Sequence, residues 1–470
     1  FPQVEILYPQ VGYVEMNPDA IWNGFIRVVK GAVQGIQMHQ IEALGISTQR
    51  GTFTTWDRKT GVPFHNLISW QDQRAAELVK AWNRTNQPSL ASFLIGKLGF
   101  QLSRVSFLFQ VCQAVSEGNC FFGTIDTWLL FKLTKGRLHA TDYSNASSTG
   151  IFDSYQVGCI SCYSPFYNSI CLVCFFLISM QLFPQMCWSQ LLCSMVSLPL
   201  SIFPKVEDTG TYQQAAMFGE CCFNPGDVKI TMGTGTFMDI NTGCKPHTSV
   251  AGLYPLVGWK IGSEVVYLAE GNAADTGTAI NWAQKLELFT DVQDTSAMAY
   301  SVPDSDGVCF VPSFSGLQAP LNDPKACASF MGLKPTTTKC HLVRAILESV
   351  SFRNMQLYDT MHRETNIPIT KIRVDGGVSA NNFVMQLTAD LFGRKLSRMQ
   401  HHEMSCLGAA FVAGLGVGFW RSREELKKLH STDDVFVPRR LPKAGARIPN
   451  GEYIPVFQSW ERALRRSMNW

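Results

Sequence analysis

Three short stretches rich in Gly, Thr and Asn carry residue types that suit phosphate chemistry. The first, Thr231-Met232-Gly233-Thr234-Gly235-Thr236-Phe237, follows the β-patterned run Val228-Lys229-Ile230-Thr231. Glycines let the backbone turn tightly, and its N–H groups with the Thr hydroxyls can then cradle phosphate oxygens. The second, Ile372-Arg373-Val374-Asp375-Gly376-Gly377, runs from a strand into a double-Gly turn and toward a helix starting near Ala380-Asn381-Asn382. A helix N-terminus behind a glycine turn is a ready anion site. The third joins Ala269-Glu270-Gly271-Asn272 to Gly277-Thr278-Ala279-Ile280-Asn281-Trp282. Taken singly, each is as well explained by an ordinary turn. Three in one stretch of chain favour a nucleotide. None fits G-x4-G-K-[ST], nor G-x-G-x-x-G in its proper context, so neither a P-loop nor a dinucleotide fold is indicated.

The elements that must position these turns alternate in type. Ala43–Thr48 reads as a buried strand, and Phe53–Trp56 with Val62–Ile68 as a hairpin about Asp57–Gly61. Asp72 to Asn83 carries helix formers, and His341 to Met361 places Leu342, Val343, Ile346, Leu347 and Val350 at helical spacing. Val265–Leu268 reads as a strand ending in a Gly/Asn turn. Strands alternating with helices on both sides of an abnormal middle predict two α/β domains.

The middle is abnormal in charge. Residues 154–204 contain no Asp, Glu, Lys, Arg or His, yet hold six of the fifteen Cys. The 18 residues between Pro165 and Pro184 include Tyr, Asn, Ser and Gln, too polar for a convincing membrane span. Cys159, Cys162, Cys171 and Cys174 form C-x2-C-x8-C-x2-C, whose central spacer is short for a zinc ribbon and which lacks polar knuckle residues. Elsewhere the 470-residue chain is ordinary, with a net charge of +3 and no long run of either sign. That argues against nucleic-acid coating and against a polybasic membrane anchor. Scattered thiols and the lack of a signal-like start predict a reduced, cytoplasmic enzyme. The sequons at Asn83 and Asn145 are read as chance matches.

Several motifs occur in order: Gly12-Tyr13-Val14-Glu15, Ile46-Ser47-Thr48-Gln49-Arg50, Trp56-Asp57, Ile68-Ser69-Trp70-Gln71-Asp72, Gly123-Thr124-Ile125-Asp126-Thr127-Trp128 and Gln213-Gln214-Ala215-Ala216-Met217-Phe218-Gly219. With the G-T-G and Asp-Gly-Gly turns, the chain resembles the FGGY carbohydrate kinases, and within them the glycerol kinases, over roughly 8–153 and 213–420. The resemblance implies an α/β fold of two actin-like (ribonuclease-H-like) ATPase domains, with ATP and a polyol meeting in the cleft between them. It places the N-terminal domain at 1–225, the nucleotide-binding domain at 226–430 and a C-terminal tail at 431–470. It implies ATP and Mg²⁺ as cofactors and glycerol or a similar small polyol as partner, with no nucleic acid and no membrane, and it leaves a homo-oligomer open. By motif, Arg50 would bond the polyol, Trp70 would line its pocket and Phe237 would pack on its carbons. Thr234 would contact the ATP phosphates, with Gly277, Asn281, Gly377 and Asn381 around the nucleotide. No metal ligand is assigned.

Three departures bear on activity. Glycerol kinases carry Gln-Arg-Glu where this chain has Gln49-Arg50-Gly51, which removes a carboxylate for two substrate hydroxyls. The family's Asp-Gly-Thr hairpin precedes the first residue of the chain. The family's catalytic Asp, directly before Gln-Gln, is Tyr212 here, so the catalytic base is unassigned. A Tyr hydroxyl, with a pKa near ~10, is a poor base at neutral pH. The strand that should deliver this position is read as missing, and 156–185 as inserted sequence, as if exon boundaries were misassembled. Restoring Asp at 212 alone is expected to leave activity low, because the carrying strand and the Asp-Gly-Thr hairpin both read as missing. The expected function is phosphorylation of glycerol to glycerol 3-phosphate, impaired in this chain. The alternatives are a kinase for another polyol or sugar, and an inactive nucleotide-binding regulator.

Overall fold

The structure, a computed structural model, describes residues 4–75, 114, 117–149, 152–155, 158–159, 185–186, 205–399, 403–429, 434–440 and 451–470. Its chain clusters into two units. The first comprises 1–215, 259–264 and 405–422, and the second 216–258, 265–404 and 423–470.

The first unit opens with β1 (Ile6–Leu7) and β2 (Glu15–Met16), followed by α1 (Pro18–Ala32). Asn17 starts this helix by accepting a hydrogen bond from the Ala20 N–H at 3.0 Å, with Pro18 fitting the first turn. Next come β3 (Ala43–Thr48), β4 (Phe53–Asp57), β5 (Leu67–Ile68), β6 (Cys120–Thr124) and α2 (Ile125–Leu133). A five-stranded sheet runs in the order β1-β2-β5-β4-β6. The expected hairpin is present: Asp57 Oδ1 accepts from the N–H groups of Lys59 and Thr60, and Gly61 takes a φ of +72°. Its second strand is shorter than read, reduced to β5 and a bridge from Trp56 to Pro63. Trp56, Leu67, Trp128, Leu130 and Phe131 form the core beneath this sheet. Of the helix expected from Asp72 to Asn83, residues 76–83 lie outside the described residues.

The rest of this unit is built from β7 (Ala140–Thr141), α3 (Tyr143–Ser147), β8 (Phe152–Asp153), β9 (Gly158–Cys159), β10 (Gln185–Met186) and β11 (Lys205–Thr211). Most of 156–185 lies outside the described residues. Its two ends are paired, β9 with β8 and β10 with β7. Asn145 is fully buried in α3, which removes it as a glycosylation acceptor in the folded protein.

One sequence expectation is overturned here. The strand read as missing before Gln213 is present: β11 pairs in parallel with β3, in a register that sets Thr211 against Thr48, with an irregularity between Val206 and Thr209. Helix α4 (Tyr212–Gly219) starts on the next residue. Charged and polar residues hid this strand, because the apolar pattern that announces a buried strand is absent from Lys205-Val206-Glu207-Asp208-Thr209-Gly210-Thr211.

The second unit is organised by a seven-stranded sheet. In chain order its elements are β12 (Asp227–Met232), β13 (Thr236–Gly243), β14 (Tyr254–Ile261), β15 (Glu264–Ala273), α5 (Thr276–Lys285), α6 (Asp294–Tyr300), β16 (Cys309–Val311), β17 (Ser329–Met331), α7 (Lys339–Thr365), β18 (Lys371–Asp375), α8 (Asn382–Phe392) and β19 (Leu396–Arg398). Helices α9 (Met404–Gly416) and α10 (Arg423–Lys428), strand β20 (Asp434–Phe436) and helix α11 (Ile454–Ser467) complete the chain. The sheet order is β14-β15-β13-β12-β18-β19-β20, and β12 runs parallel to β18. One face presents Val228, Ile230, Met238, Ile240, Ile372 and Val374, all in the core with Leu347, Val350, Leu357 and Val384 of α7 and α8. The stretch Glu270-Gly271-Asn272, expected as a turn, belongs to β15. The residues read as a C-terminal tail include α11, which buries Phe457, Trp460 and Leu464 in that same core. Helix α9 lies almost wholly in the first unit, where a Cβ on Gly45 of β3 would come within 2.3 Å of the Ala409 carbonyl oxygen.

Candidate active site

The nucleotide-type turns lie in the second unit, at the carboxyl ends of two adjacent parallel strands. Open α/β sheets characteristically bind ligands at such strand ends. After β12 the chain turns through Gly233–Gly235, closed by a hydrogen bond from the Gly233 N–H to the Gly235 carbonyl at 2.9 Å. After β18 it turns through Gly376, whose φ is +88°. The two turns touch: a Cβ on Gly376 would stand 2.6 Å from the Met232 oxygen.

The start of α5 closes on the first of these turns. The Gly277 N–H donates to the Gly233 oxygen and the Thr278 N–H to the Thr234 oxygen, each at 3.1 Å. A Cβ at Gly277 would fall 2.5 Å from the Gly233 oxygen, and one at Gly235 would fall 2.8 Å from the Ala273 oxygen. Only glycine permits these approaches. Thr236 and Thr276 add a hydroxyl–hydroxyl bond of 2.8 Å. The first amides of α5 are thereby consumed by the turn. The N–H groups of Thr234 and Gly235 have no acceptor among the described residues. Two adjacent unpaired donors on a glycine turn make an anion cradle.

The expected residues fall around this cradle unevenly. Thr234 and Gly377 are exposed at the two turns, and Asn281 is exposed four residues along α5 from buried Gly277, on the same helix face. Asn381 is already engaged: its Oδ1 accepts from the Val384 N–H at 3.1 Å, and its Nδ2 donates to the Thr295 hydroxyl at 2.9 Å. It caps α8, so the helix behind the double-Gly turn keeps its own N-terminus. Phe237 is half-buried on β13, opposite Thr231 of β12.

A loop that the sequence reading passed over fixes the segment leading into α5. Asp275 accepts from the Ser315 N–H at 2.8 Å and the Ser315 hydroxyl at 3.1 Å, and Gln318 Oε1 accepts from the Ala274 N–H at 2.9 Å. Buried Arg353 holds the far end of that loop by donating to the Ala319 oxygen at 3.1 Å. Burial lowers its guanidinium pKa to about 10, which leaves it charged at neutral pH.

Arg50 and Trp70 belong to the first unit. Arg50 follows β3 in a turn completed by Gly51, whose φ is +67°. Thr52, fully buried, accepts from the Trp70 N–H through its hydroxyl at 3.1 Å and from the Ile125 N–H through its carbonyl at 3.2 Å. The Trp70 segment is further tied by Asp72, which accepts from the Val14 N–H at 2.7 Å and pairs with Arg74. Arg74 also bonds Glu15 at 2.7 Å. Because β3 and β11 are parallel, the Arg50 turn and Tyr212 leave the same edge of that strand pair.

Two carboxyl groups of this unit are buried together, a fact without a sequence signal. Asp142 caps α3, accepting from the N–H groups of Ser144 and Asn145, and Asp126 accepts from the Thr141 hydroxyl at 2.6 Å. Burial, reinforced by the Asp126 charge, raises the Asp142 pKa to about 6. Burial raises that of Asp126 as well. The folded protein therefore holds a proton on Asp142 that the unfolded chain, near 3.8, has already released. Wild-type stability relative to Asp142→Asn should fall as pH rises from about 4 to 6, by on the order of 2 kcal/mol. Parallel denaturant titrations at pH 4 and pH 7 check this. A difference between the two proteins that is independent of pH would refute it.

Comparison with known proteins bears directly on these two units. The model of the FGGY family of carbohydrate kinases, N-terminal domain, matches residues 2–161, and that of the C-terminal domain matches 228–417. The chain belongs to the FGGY family of carbohydrate kinases. It is 60% identical over 514 residues to glycerol kinase 5 of Danio rerio, covering all of this chain and 91% of that protein. It is 52% identical to glycerol kinase 5 of Homo sapiens, covering 90% of it, and 35% identical over 499 residues to glycerol kinase 2 of Thermotoga maritima, covering 99% of this chain and 92% of that one. Plasmodium falciparum glycerol kinase with ADP superposes with a TM-score of 0.84 at 28% identity, over all of this chain and 93% of that one. A xylulose kinase from Lactobacillus acidophilus shares the fold, at 0.77 and 20%, covering 98% and 91%.

This FGGY kinase is a phosphotransferase with the two-domain α/β fold of its family, whose members use ATP. Among the described residues no group of three His, Cys, Asp or Glu is placed to hold a metal. No described helix is long and apolar enough to cross a membrane.

Proposed function

We propose that this FGGY kinase transfers the γ-phosphoryl group of ATP to a hydroxyl of glycerol, giving glycerol 3-phosphate, at a rate limited by the residue at position 212. The observation that carries the reading is the pair of N–H groups at Thr234 and Gly235 that have no acceptor among the described residues, on a turn closed against Gly277 and beside Gly376. Phosphoryl transfer needs little covalent chemistry from a protein and much positioning. The turn supplies donors already aimed, so little reorganisation is needed as charge shifts onto the phosphate oxygens. Thr234, Gly277, Asn281 and Gly377 would surround the nucleotide, while Asn381 acts by anchoring α8. Mg²⁺ would arrive with the nucleotide and neutralise phosphate charge; such ions commonly take only one or two carboxylates from the protein.

Arg50 and Trp70 are the proposed polyol contacts of the first unit, and Phe237 that of the second. The names of the relatives support glycerol as acceptor. Gly51 favours a second reading within the same chemistry. This buried, left-handed position carries no side chain, so the pocket lacks the acceptor that would count hydroxyls, and a wider set of polyols would be accepted. Tyr212 motivates a third reading, a nucleotide-binding protein without turnover.

ADP release measured with glycerol and a panel of small polyols and sugars separates these readings. Slow, ATP-dependent turnover greatest with glycerol supports the proposal. Turnover greatest with another acceptor moves the specificity, and ATP binding with no turnover on any acceptor contradicts both kinase readings.

A further inference from the structure

The face of the second unit's sheet opposite its apolar core is mostly polar, and Lys229, Asp239, Glu270, Thr231 and Asp375 on it are buried. The β12–β13–β15 and β12–β18 registers align Glu270, Asp239, Lys229 and Arg373 across four strands, and in the next rung Asn272, Phe237, Thr231 and Asp375. Lys229 and Asp239 form an ion pair at 3.0 Å with both side chains fully buried. One rung nearer the turns, the Thr231 hydroxyl donates to Asp375 Oδ1 at 2.5 Å, with both residues buried. These charges are costly to desolvate, and an apolar pair of similar volume would pack a sheet at least as well.

Their position gives the polar pair a use. Asp375 is the residue before Gly376, and Thr231 lies two before Gly233. Their hydrogen bond ties β12 to β18 at the point where both strands release their glycine turns, directly under the close approach of Gly376 to the Met232 oxygen. Ladder hydrogen bonds fix strand spacing along the sheet but end where the turns begin. A charge-assisted side-chain bond at the last rung is short and directional.

We propose that Thr231 and Asp375 are positioning residues for the nucleotide, their hydrogen bond setting the spacing between the Gly233–Gly235 and Gly376–Gly377 turns. This rests on the nucleotide reading of those turns. It predicts that nucleotide affinity follows the hydrogen bond rather than the overall stability of the protein.

Three variants of the full chain separate the two. Thr231→Val keeps the volume and removes the donor, Thr231→Ser keeps the donor and deletes a buried methyl, and Asp375→Asn keeps an acceptor. The ADP dissociation constant is measured by titration calorimetry and the melting temperature by differential scanning. Thr231→Val should weaken ADP at least ~10-fold, a loss on the scale of one hydrogen bond to a charged group. Thr231→Ser should melt lower yet bind within about threefold of wild type, whereas Asp375→Asn, which leaves the hydrogen bond without its charge, should weaken ADP, though less than Thr231→Val does. An unchanged dissociation constant in Thr231→Val overturns the proposal, as does a Ser variant weakened as much as Val. Should Thr231→Val fail to fold, the other two variants decide, since a tenfold loss in Thr231→Ser or an unchanged affinity in Asp375→Asn is incompatible with it. Wild-type protein that binds no ADP would remove the nucleotide reading itself, and this inference with it.

Discussion

Replacing Gly376 with alanine is expected to weaken ADP binding by about 100-fold or more, equivalent to ~2.7 kcal/mol of binding energy. The new methyl would stand 2.6 Å from the Met232 oxygen and 2.9 Å from its nitrogen, both backbone atoms. The φ of +88° adds strain that any side chain would suffer. Relief requires β18 to draw back from β12, which separates the two turns. Gly377→Ala is the control for stability alone, because nothing lies within 4 Å of a Cβ at that site. It should melt within about 2 °C of wild type, the scale of a surface substitution. Both effects are read by calorimetry and thermal melting. Wild-type ADP affinity in Gly376→Ala would show that the contact between the turns has no part in binding.

Tyr212→Asp is expected to raise turnover by about 100-fold, within the range by which a positioned general base accelerates proton transfer. From sequence alone the opposite outcome is expected, in part because the strand carrying this position reads as missing. The structure supplies that strand: β11 pairs with β3 through Thr211 and Thr48, and α4 begins at residue 212. An aspartate there also suits the start of a helix, where negative charge is favoured, so the substitution should not destabilise the first unit. Tyr212→Phe is expected to leave the slow wild-type rate unchanged. Steady-state ADP release with glycerol measures both. A Phe variant that abolishes turnover would make the Tyr hydroxyl itself the base, and an Asp variant no faster than wild type would dissociate position 212 from proton transfer.

The glycine turns of the second unit were the more legible part of the sequence. Gly235, Gly277 and Gly376 are required by close backbone approaches, and glycine beside a β-patterned run announces such approaches at short range. The long helix was legible as well, since Leu342, Val343, Ile346, Leu347 and Val350 keep a strict helical period, although α7 extends beyond both expected ends. What escaped depends on partners far along the chain. The burial of Asp142 and Asp126 has no local sequence signal and emerges only from packing. Lys229 and Asp239 look like the polar half of ordinary alternating strands, where alternation usually marks a solvated face. Only the sheet register shows them facing each other. β11 failed the same test from the other side, since a strand of charged and hydroxyl residues has no apolar signature. The motif puts Asn381 around the nucleotide; that its amide also bonds Thr295 and caps α8 is visible only in the structure.

Amide hydrogen exchange of the full chain, with and without saturating ADP, tests the central claim most directly. Slowed exchange concentrated at residues 233–236, 276–281 and 376–381 is the predicted result, with the Thr234 and Gly235 amides changing most because they lack an acceptor among the described residues. Saturating ADP that leaves these three turns unprotected, or protects a different part of the second unit, would contradict the account.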